Sequence, residues 1–143
     1  MNYELGSTPT NLSDVDGTYE PDIAWVKTVE PKIKGEVYYT KMLTDDPVTG
    51  MSVQMVHYPA GTVNIWHCHH ASHGMYVQEG EFYTNGMHGP KVYGPGSWVW
   101  FPAGGWMEHG ATDNSDAVCL AVFNMPFDEY FMGDPNPPAE PFL

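Results

Sequence analysis

Short runs of β-branched and aromatic residues alternate along this chain with turn residues, and this pattern is the strongest constraint on its fold. The runs include MSVQMVHY, SWVWF and AVCLAVF, and the turns that bound them include YPAG, YGPG and PAGG. A spacing of about 8–12 residues per strand is typical of an all-β sandwich or barrel. One short helix around residues 126–131 is the single weak exception. We therefore predict an all-β fold in one domain that spans residues 1–143.

The two ends of the chain lack this strand pattern. Residues 1–30 are polar and broken by turn residues, which predicts an irregular N-terminal arm. Residues 133–143 contain four prolines, which cannot donate a backbone hydrogen bond. This segment is predicted to be a Pro-rich extended tail.

The charge of the chain excludes several classes of partner. It has eighteen acidic residues, five lysines and no arginine, for a formal net charge of −13. Such a field repels nucleic acid and anionic membranes, so we expect neither as a partner. Without arginine the chain also lacks the usual bidentate clamp for carboxylates and phosphates. A small-molecule substrate that is not strongly anionic is therefore expected.

The cellular location is predicted from what the sequence lacks. We find no cationic start followed by an apolar run and no apolar stretch of about 20 residues, so a cytoplasmic location is expected. The two cysteines, Cys68 and Cys119, are too few for a disulfide scaffold and are predicted to be reduced thiols.

The histidines are concentrated in one stretch, WHCHHASH, which holds four of the seven in the chain. Side chains alternate between the two faces of a strand, so His67 and His69 share a face. The same alternation places Val63 and Ile65 on that face. Because Val63 and Ile65 are apolar, we predict that this face points into the barrel.

Two further histidines are placed to join that pair. His73 begins the next predicted strand, and His109 follows the strand SWVWF after a glycine-rich turn. Imidazole is the commonest side-chain ligand of divalent transition metals, whereas several imidazoles in an apolar barrel would otherwise need other polar partners. The remaining histidines, at positions 57, 70 and 88, are interpreted as structural or exposed.

The stretch from Gly61 to Gly80 resembles the first conserved motif of the cupin superfamily, G-x5-H-x-H-x3-E-x6-G. The spacing fits at Gly61, His67, His69 and Gly80. The departure is His73, which stands where most cupins have a glutamate ligand.

The segment from Gly96 to Asp113 resembles the second cupin motif, G-x5-P-x-G-x2-H-x3-N. Gly96, Pro102 and Gly104 fit, whereas His109 comes two residues later than in the motif and Asp113 occupies the asparagine position. The resemblance implies a cupin β-sandwich or barrel of the jelly-roll type.

The resemblance also implies a metal site. Its ligands would be His67, His69, His73 and His109, around one divalent transition metal. Zinc and iron are favoured, and nickel, manganese and cobalt also fit imidazole ligands. The all-histidine set is similar to that of the small cupin polyketide cyclases. Cupins also commonly pair, so a homodimer is expected.

Three functions remain open from the sequence. The first is an enzyme whose metal acts as a Lewis acid on a small, largely apolar, oxygen-bearing substrate, by enolisation with cyclisation or elimination. The second is a non-haem metal-dependent dioxygenase acting on a dicarbonyl or phenolic substrate. The third is a non-enzymatic module that senses a metal or a ligand.

Candidates for proton transfer and for the pocket wall can be named. Glu108, directly before His109, is the nearest candidate catalytic acid or base, although strand alternation favours its pointing away, and a metal-bound hydroxide is the alternative. The pocket candidates are the apolar residues near the histidines, with Trp106 and Met107 expected at the cavity mouth. They are Met55, Val63, Ile65, Met75, Val77, Trp98, Trp100, Trp106, Met107 and Phe123.

Overall fold

The computed structural model describes residues 6–138, and it is built from strands. This confirms the predicted all-β class. The described residues contain one 3₁₀ turn and no α-helix. Among them, no helix has the length and hydrophobicity that crossing a bilayer requires. The 3₁₀ turn is Glu20–Asp22, and the strands are β1 (Val26–Val29), β2 (Val37–Asp45), β3 (Ser52–Tyr58), β4 (Val63–Cys68), β5 (His73–Gly80), β6 (Phe82–Asn85), β7 (Lys91–Tyr93), β8 (Trp98–Phe101), β9 (Met107–Ala111), β10 (Ala117–Phe123) and β11 (Tyr130–Phe131).

The strands form two antiparallel sheets. The six-stranded sheet has the order β1-β2-β3-β10-β5-β8, and the five-stranded sheet has the order β11-β4-β9-β6-β7. Consecutive strands such as β4 and β5 therefore lie in different sheets, as in the predicted jelly-roll type of sandwich. This crossing places the histidines of β4 and β5 on opposite walls of one interior.

The core lies between the sheets and follows from the alternation of side chains along each strand. In β10, Ala117, Cys119, Ala121 and Phe123 are buried, while the residues between them are half-buried. Phe82 of the other sheet is fully buried against this face. Burying a side chain of this size stabilises the fold by roughly 1.5–3 kcal/mol.

Glycine is required where β5 turns into β6. Gly80 has a φ of 77°, and a Cβ atom there would lie 1.7 Å from the carbonyl oxygen of Asp116. No other residue type fits this combination of left-handed backbone and close approach. The last glycine of the first motif is thus explained by a turn that joins the two sheets.

The N-terminal arm is more regular than predicted. Residues 26–29 form β1, which pairs with β2, so the prediction of an irregular arm over residues 1–30 is wrong for this part. Just before β1, the ring of Trp25 lies 4.5 Å from Nζ of Lys41, which also donates to Glu20 at 2.7 Å. These contacts satisfy the buried lysine and attach the arm to the outer face of the six-stranded sheet. Residues 1–5 of the arm and 139–143 of the tail lie outside the described residues.

The predicted reduced thiols are consistent with the fold, because both cysteines are free and fully buried. Burial raises the pKa of Cys119 to about 12 and also raises that of Cys68. We expect neither thiol to react with Ellman's reagent at pH 8 in the native protein, and both to react after denaturation in guanidinium chloride. Rapid reaction of either thiol in the native protein would contradict this burial.

Candidate metal centre

The structure brings the four motif histidines together between the two sheets. His67 lies in β4, His69 directly follows it, His73 begins β5 and His109 lies in β9. Nε2 of His67 lies 3.1 Å from Nε2 of His109, and ligand atoms of His67, His69 and His109 all lie within 4.8 Å of one another. All four side chains are buried, with at most 4 % of any residue exposed.

Backbone carbonyl groups fix the tautomers of two of these histidines. Nδ1 of His67 donates to the carbonyl of Ile65 at 2.6 Å, and Nδ1 of His69 donates to the carbonyl of Asp128. A carbonyl oxygen can only accept, so in both rings Nδ1 carries the proton and Nε2 keeps its lone pair. Nε2 of His69 has no hydrogen-bond partner. This is the arrangement in which outer carbonyl groups orient imidazoles toward a metal.

The third ring, His109, is oriented by a hydroxyl group. Its Nδ1 lies 3.1 Å from the hydroxyl of Tyr58, which is buried beside it. This contact leaves Nε2 of His109 facing Nε2 of His67. Two nitrogen ligands bonded to one cation at about 2.0–2.1 Å lie roughly 2.9–3.4 Å apart, so the observed separation suits a shared ion.

His73 is held by stacking rather than by hydrogen bonds. Its ring lies between Phe101 and Phe123, with 4.6 Å between ring centroids on both sides. Its centroid lies 5.0 Å from that of His69, and neither of its nitrogens has a hydrogen-bond partner. A buried polar atom without a partner costs about 1–3 kcal/mol, a cost that a bound cation would remove.

Burial keeps these imidazoles neutral. Burial is the largest cause that lowers the pKa of each of the four imidazoles. Burial and, to a smaller extent, the neighbouring His69 together lower the pKa of His67 to about 3. Neutral imidazole is the form that binds a metal. The donor set and the separations of His67, His69 and His109 therefore fit one divalent transition metal, and His73 lies beside this group of three.

A small cavity of about 40 Å³ opens beside His69 and His109. Its apolar wall includes Met75 and Phe123, two of the pocket candidates named above. Its other lining residues are largely polar or belong to the segment after β10, and they are Tyr38, Gln54, Val56, Tyr58, Asn64, Ala121, Phe127 and Glu129.

Residues 124–131, which we call the strap, contribute Phe127 and Glu129 to the lining of this cavity. The ring of Phe127 lies 5.4 Å from that of His69, and the carboxylate of Asp128 accepts from Nδ1 of His70 at 2.5 Å. The strap then ends in β11, which pairs with β4. The weak helix predicted around residues 126–131 does not form. Backbone groups of the strap instead pair with β4 and accept a hydrogen bond from His69.

Two polar residues of the site were missed by the sequence reasoning. The side-chain nitrogen Nδ2 of Asn64 donates to Oε1 of Glu129 at 2.6 Å, and the same oxygen lies 3.8 Å from Nε2 of His67. Burial raises the pKa of Glu129, and the Asn64 bond opposes that rise. No motif marks Glu129, because it reaches the site only through the path of the strap.

A bulge in β4 corrects the predicted orientation of Val63 and Ile65. Asn64 pairs with His109, and His67 pairs with Met107. Between these two pairs the chain advances three residues in β4 but only two in β9, so β4 contains one extra residue. The extra residue reverses the alternation. Asn64 therefore shares the cavity side with His67, whereas Val63 and Ile65 line a groove outside the barrel.

The other pocket predictions divide in two. Val77 and Met107 lie in the central core cluster, whereas Met55 is buried outside that cluster. The prediction of a pocket role is wrong for Trp98 and Trp100, because β8 buries Val99 and Phe101 and turns these two tryptophans outward. Trp106 lies before β9 and does not line the cavity. Trp98, Trp100 and Trp106 are 54 %, 53 % and 37 % exposed.

The structure does not bring Glu108 to the histidines. It lies on the opposite face of β9 from His109, where its carboxylate accepts from Asn85 at 3.0 Å and from Tyr83 at 3.4 Å. It lines the outer groove of about 360 Å³ that also contains Val63 and Ile65. A catalytic role for Glu108 at the histidine cluster is therefore not supported by its position.

Comparison with known proteins agrees with this architecture. Residues 54–123 match the family model described as Cupin domain. No curated protein sequence matches the chain.

Solved structures show the same fold at low identity. The polyketide cyclase RemF from Streptomyces resistomycificus superposes with a TM-score of 0.71 at 17 % identity, covering 87 % of this chain and 89 % of that one. A cupin-like protein from Thermotoga maritima gives 0.65 at 18 % identity, with coverages of 76 % and 86 %. A predicted oxalate decarboxylase from Thermotoga maritima gives 0.66 at 15 % identity, with coverages of 75 % and 96 %. At such identities the likeness shows the fold alone.

Proposed function

Since the chain belongs to the cupin family through residues 54–123, we propose that it is a metal-dependent enzyme acting on a small, largely apolar, oxygen-bearing substrate. The proposed reaction is enolisation followed by cyclisation or elimination, as in a polyketide cyclase. The observation that carries the proposal is the convergence of buried imidazole nitrogens, some without a partner, beside a small, partly apolar cavity. A structural neighbour that is a polyketide cyclase agrees with it.

The metal would be held by His67, His69, His73 and His109, with zinc and iron as the favoured ions. A divalent ion in such a site supplies Lewis acidity, which polarises a carbonyl oxygen and makes the adjacent C–H more acidic.

The residues around the histidines prepare the site for this chemistry. The carbonyl groups of Ile65 and Asp128 and the hydroxyl of Tyr58 hold three imidazoles in place. Phe123 and Phe127 form an apolar part of the wall that suits a substrate with little charge. Glu129 places a hydrogen-bond acceptor at the same wall, and the side-chain amide of Asn64 holds it there.

The proposal is tested by metal analysis and by turnover. Protein purified without added metal is expected to contain about one equivalent of a divalent transition metal by elemental analysis. The loaded protein, but not the chelated protein, is expected to convert a poly-β-ketone without consuming oxygen. Oxygen consumption on dicarbonyl or phenolic substrates would favour the dioxygenase. Metal binding without turnover of either class would favour the sensing module.

We also propose that the protein is a homodimer. Light scattering at several concentrations would check this, and a mass of about 16 kDa at all of them would contradict it.

A further inference from the structure

The carboxylate of Glu129 is the acidic group that the cavity presents to its ligand. Its side chain is only 17 % exposed, and its Oε1 lies 3.8 Å from Nε2 of His67. Asn64 holds it there through the 2.6 Å hydrogen bond. Glu129 therefore stands at the wall where a substrate oxygen would meet the metal.

No cationic side chain among the described lining residues balances this charge. The lining consists of neutral polar groups, apolar groups and the two buried imidazoles of His69 and His109. Lys32, which lies near the strap, is engaged with Asp134 at 3.3 Å and lies over the ring of Phe131. Neither Lys32 nor Asp134 lines the cavity.

The position of this carboxylate matters because the four predicted ligands carry no charge. A divalent ion among neutral imidazoles keeps its full positive charge and would by itself favour an anionic ligand. A fixed carboxylate a few ångströms away opposes that preference by Coulomb repulsion. It also offers an acceptor to a ligand that carries an O–H or N–H group.

We propose that Glu129 determines the ligand class of this site, so that it selects uncharged ligands bearing a hydrogen-bond donor beside their metal-binding oxygen and rejects carboxylates and other anions. Enols, phenols and hydroxyketones have this chemistry. The inference rests on the proposed function, because it requires a metal on the four histidines. This selectivity for uncharged ligands would distinguish the site from that of an enzyme whose substrate is a dicarboxylate.

The test uses thiocyanate as an anionic probe of the cobalt-loaded protein, followed by the visible absorption of Co²⁺. Glu129→Gln removes the charge and keeps the size, so it is expected to tighten thiocyanate binding by about 10-fold or more. The matched control is Glu108→Gln, the same change on the outer face of β9, which is expected to leave thiocyanate affinity unchanged. Equal thiocyanate affinity in the wild type and in Glu129→Gln would overturn the inference.

A second variant covers the case in which Glu129→Gln does not fold or does not take up cobalt. Gln54→Glu adds a carboxylate to the same cavity and is expected to weaken thiocyanate binding by about 10-fold. Unchanged affinity in that variant would likewise overturn the inference. If the wild type takes up no Co²⁺, the proposed function fails and the inference fails with it. If the wild type is loaded and thiocyanate does not respond to Glu129, the inference alone fails.

Discussion

Replacing His109 with alanine is expected to lower the affinity for Zn²⁺ by about 100-fold or more. Structural zinc sites with four ligands bind with roughly 10–16 kcal/mol, so each ligand contributes on the order of 3 kcal/mol. His109 is also the ring whose Nε2 faces that of His67 at 3.1 Å, so its loss opens one side of the cluster. Competition with a chromophoric chelator would measure the change.

His57→Ala is the matched control for that experiment. His57 is also a histidine of a central strand, but its ring lies away from the cluster and bonds to Asp116 at 2.8 Å. Its removal is expected to leave zinc affinity within a factor of about two. Equal losses in the two variants would mean that His109 acts through the stability of the fold, and unchanged affinity in His109→Ala would remove it from the metal site.

The fold and the positions of the histidines could be predicted because they depend on local rules. The turn residues mark strand ends, and the motif spacing places His67 and His69 at the end of one strand and His73 at the start of the next. Packing two sheets face to face then brings these strand ends together. The candidate metal site is thus built from residues that lie close to each other in sequence or follow recognisable turns.

The polar part of the cavity wall could not be predicted because it depends on two non-local features. The bulge between Asn64 and His67 reverses the alternation in β4, and it is defined only by pairing with β9. Glu129 reaches the site because the strap, which follows β10, ends in a strand that pairs with β4. Neither feature leaves a periodic pattern in the sequence, and this is why Asn64 and Glu129 were missed while Val63 and Ile65 were placed inside.

Metal loading is expected to raise the melting temperature substantially, because the ion binds a site that the unfolded chain does not form. At a free metal concentration of about 1,000 times Kd, the stabilisation is about 4 kcal/mol. For a domain of this size that corresponds to a rise of about 8–16 °C in Tm. Differential scanning calorimetry of the chelated and the zinc-loaded protein would measure it.

His73→Phe separates the two contributions that this residue makes. In the metal-free protein both ring nitrogens of His73 are buried without a partner, while the ring itself stacks on Phe101 and Phe123. Phenylalanine keeps the stacking and removes the unpaired polar atoms, so the metal-free variant is expected to be more stable by about 1–2 kcal/mol. The same variant loses a ligand, and its rise in Tm on zinc loading is expected to be much smaller than that of the wild type. If the metal-free variant is instead less stable and still gains the full rise in Tm from zinc, His73 is a packing residue and not a ligand. The reason is that removing a ligand stabilises the metal-free protein only where its unpaired nitrogens destabilise that protein.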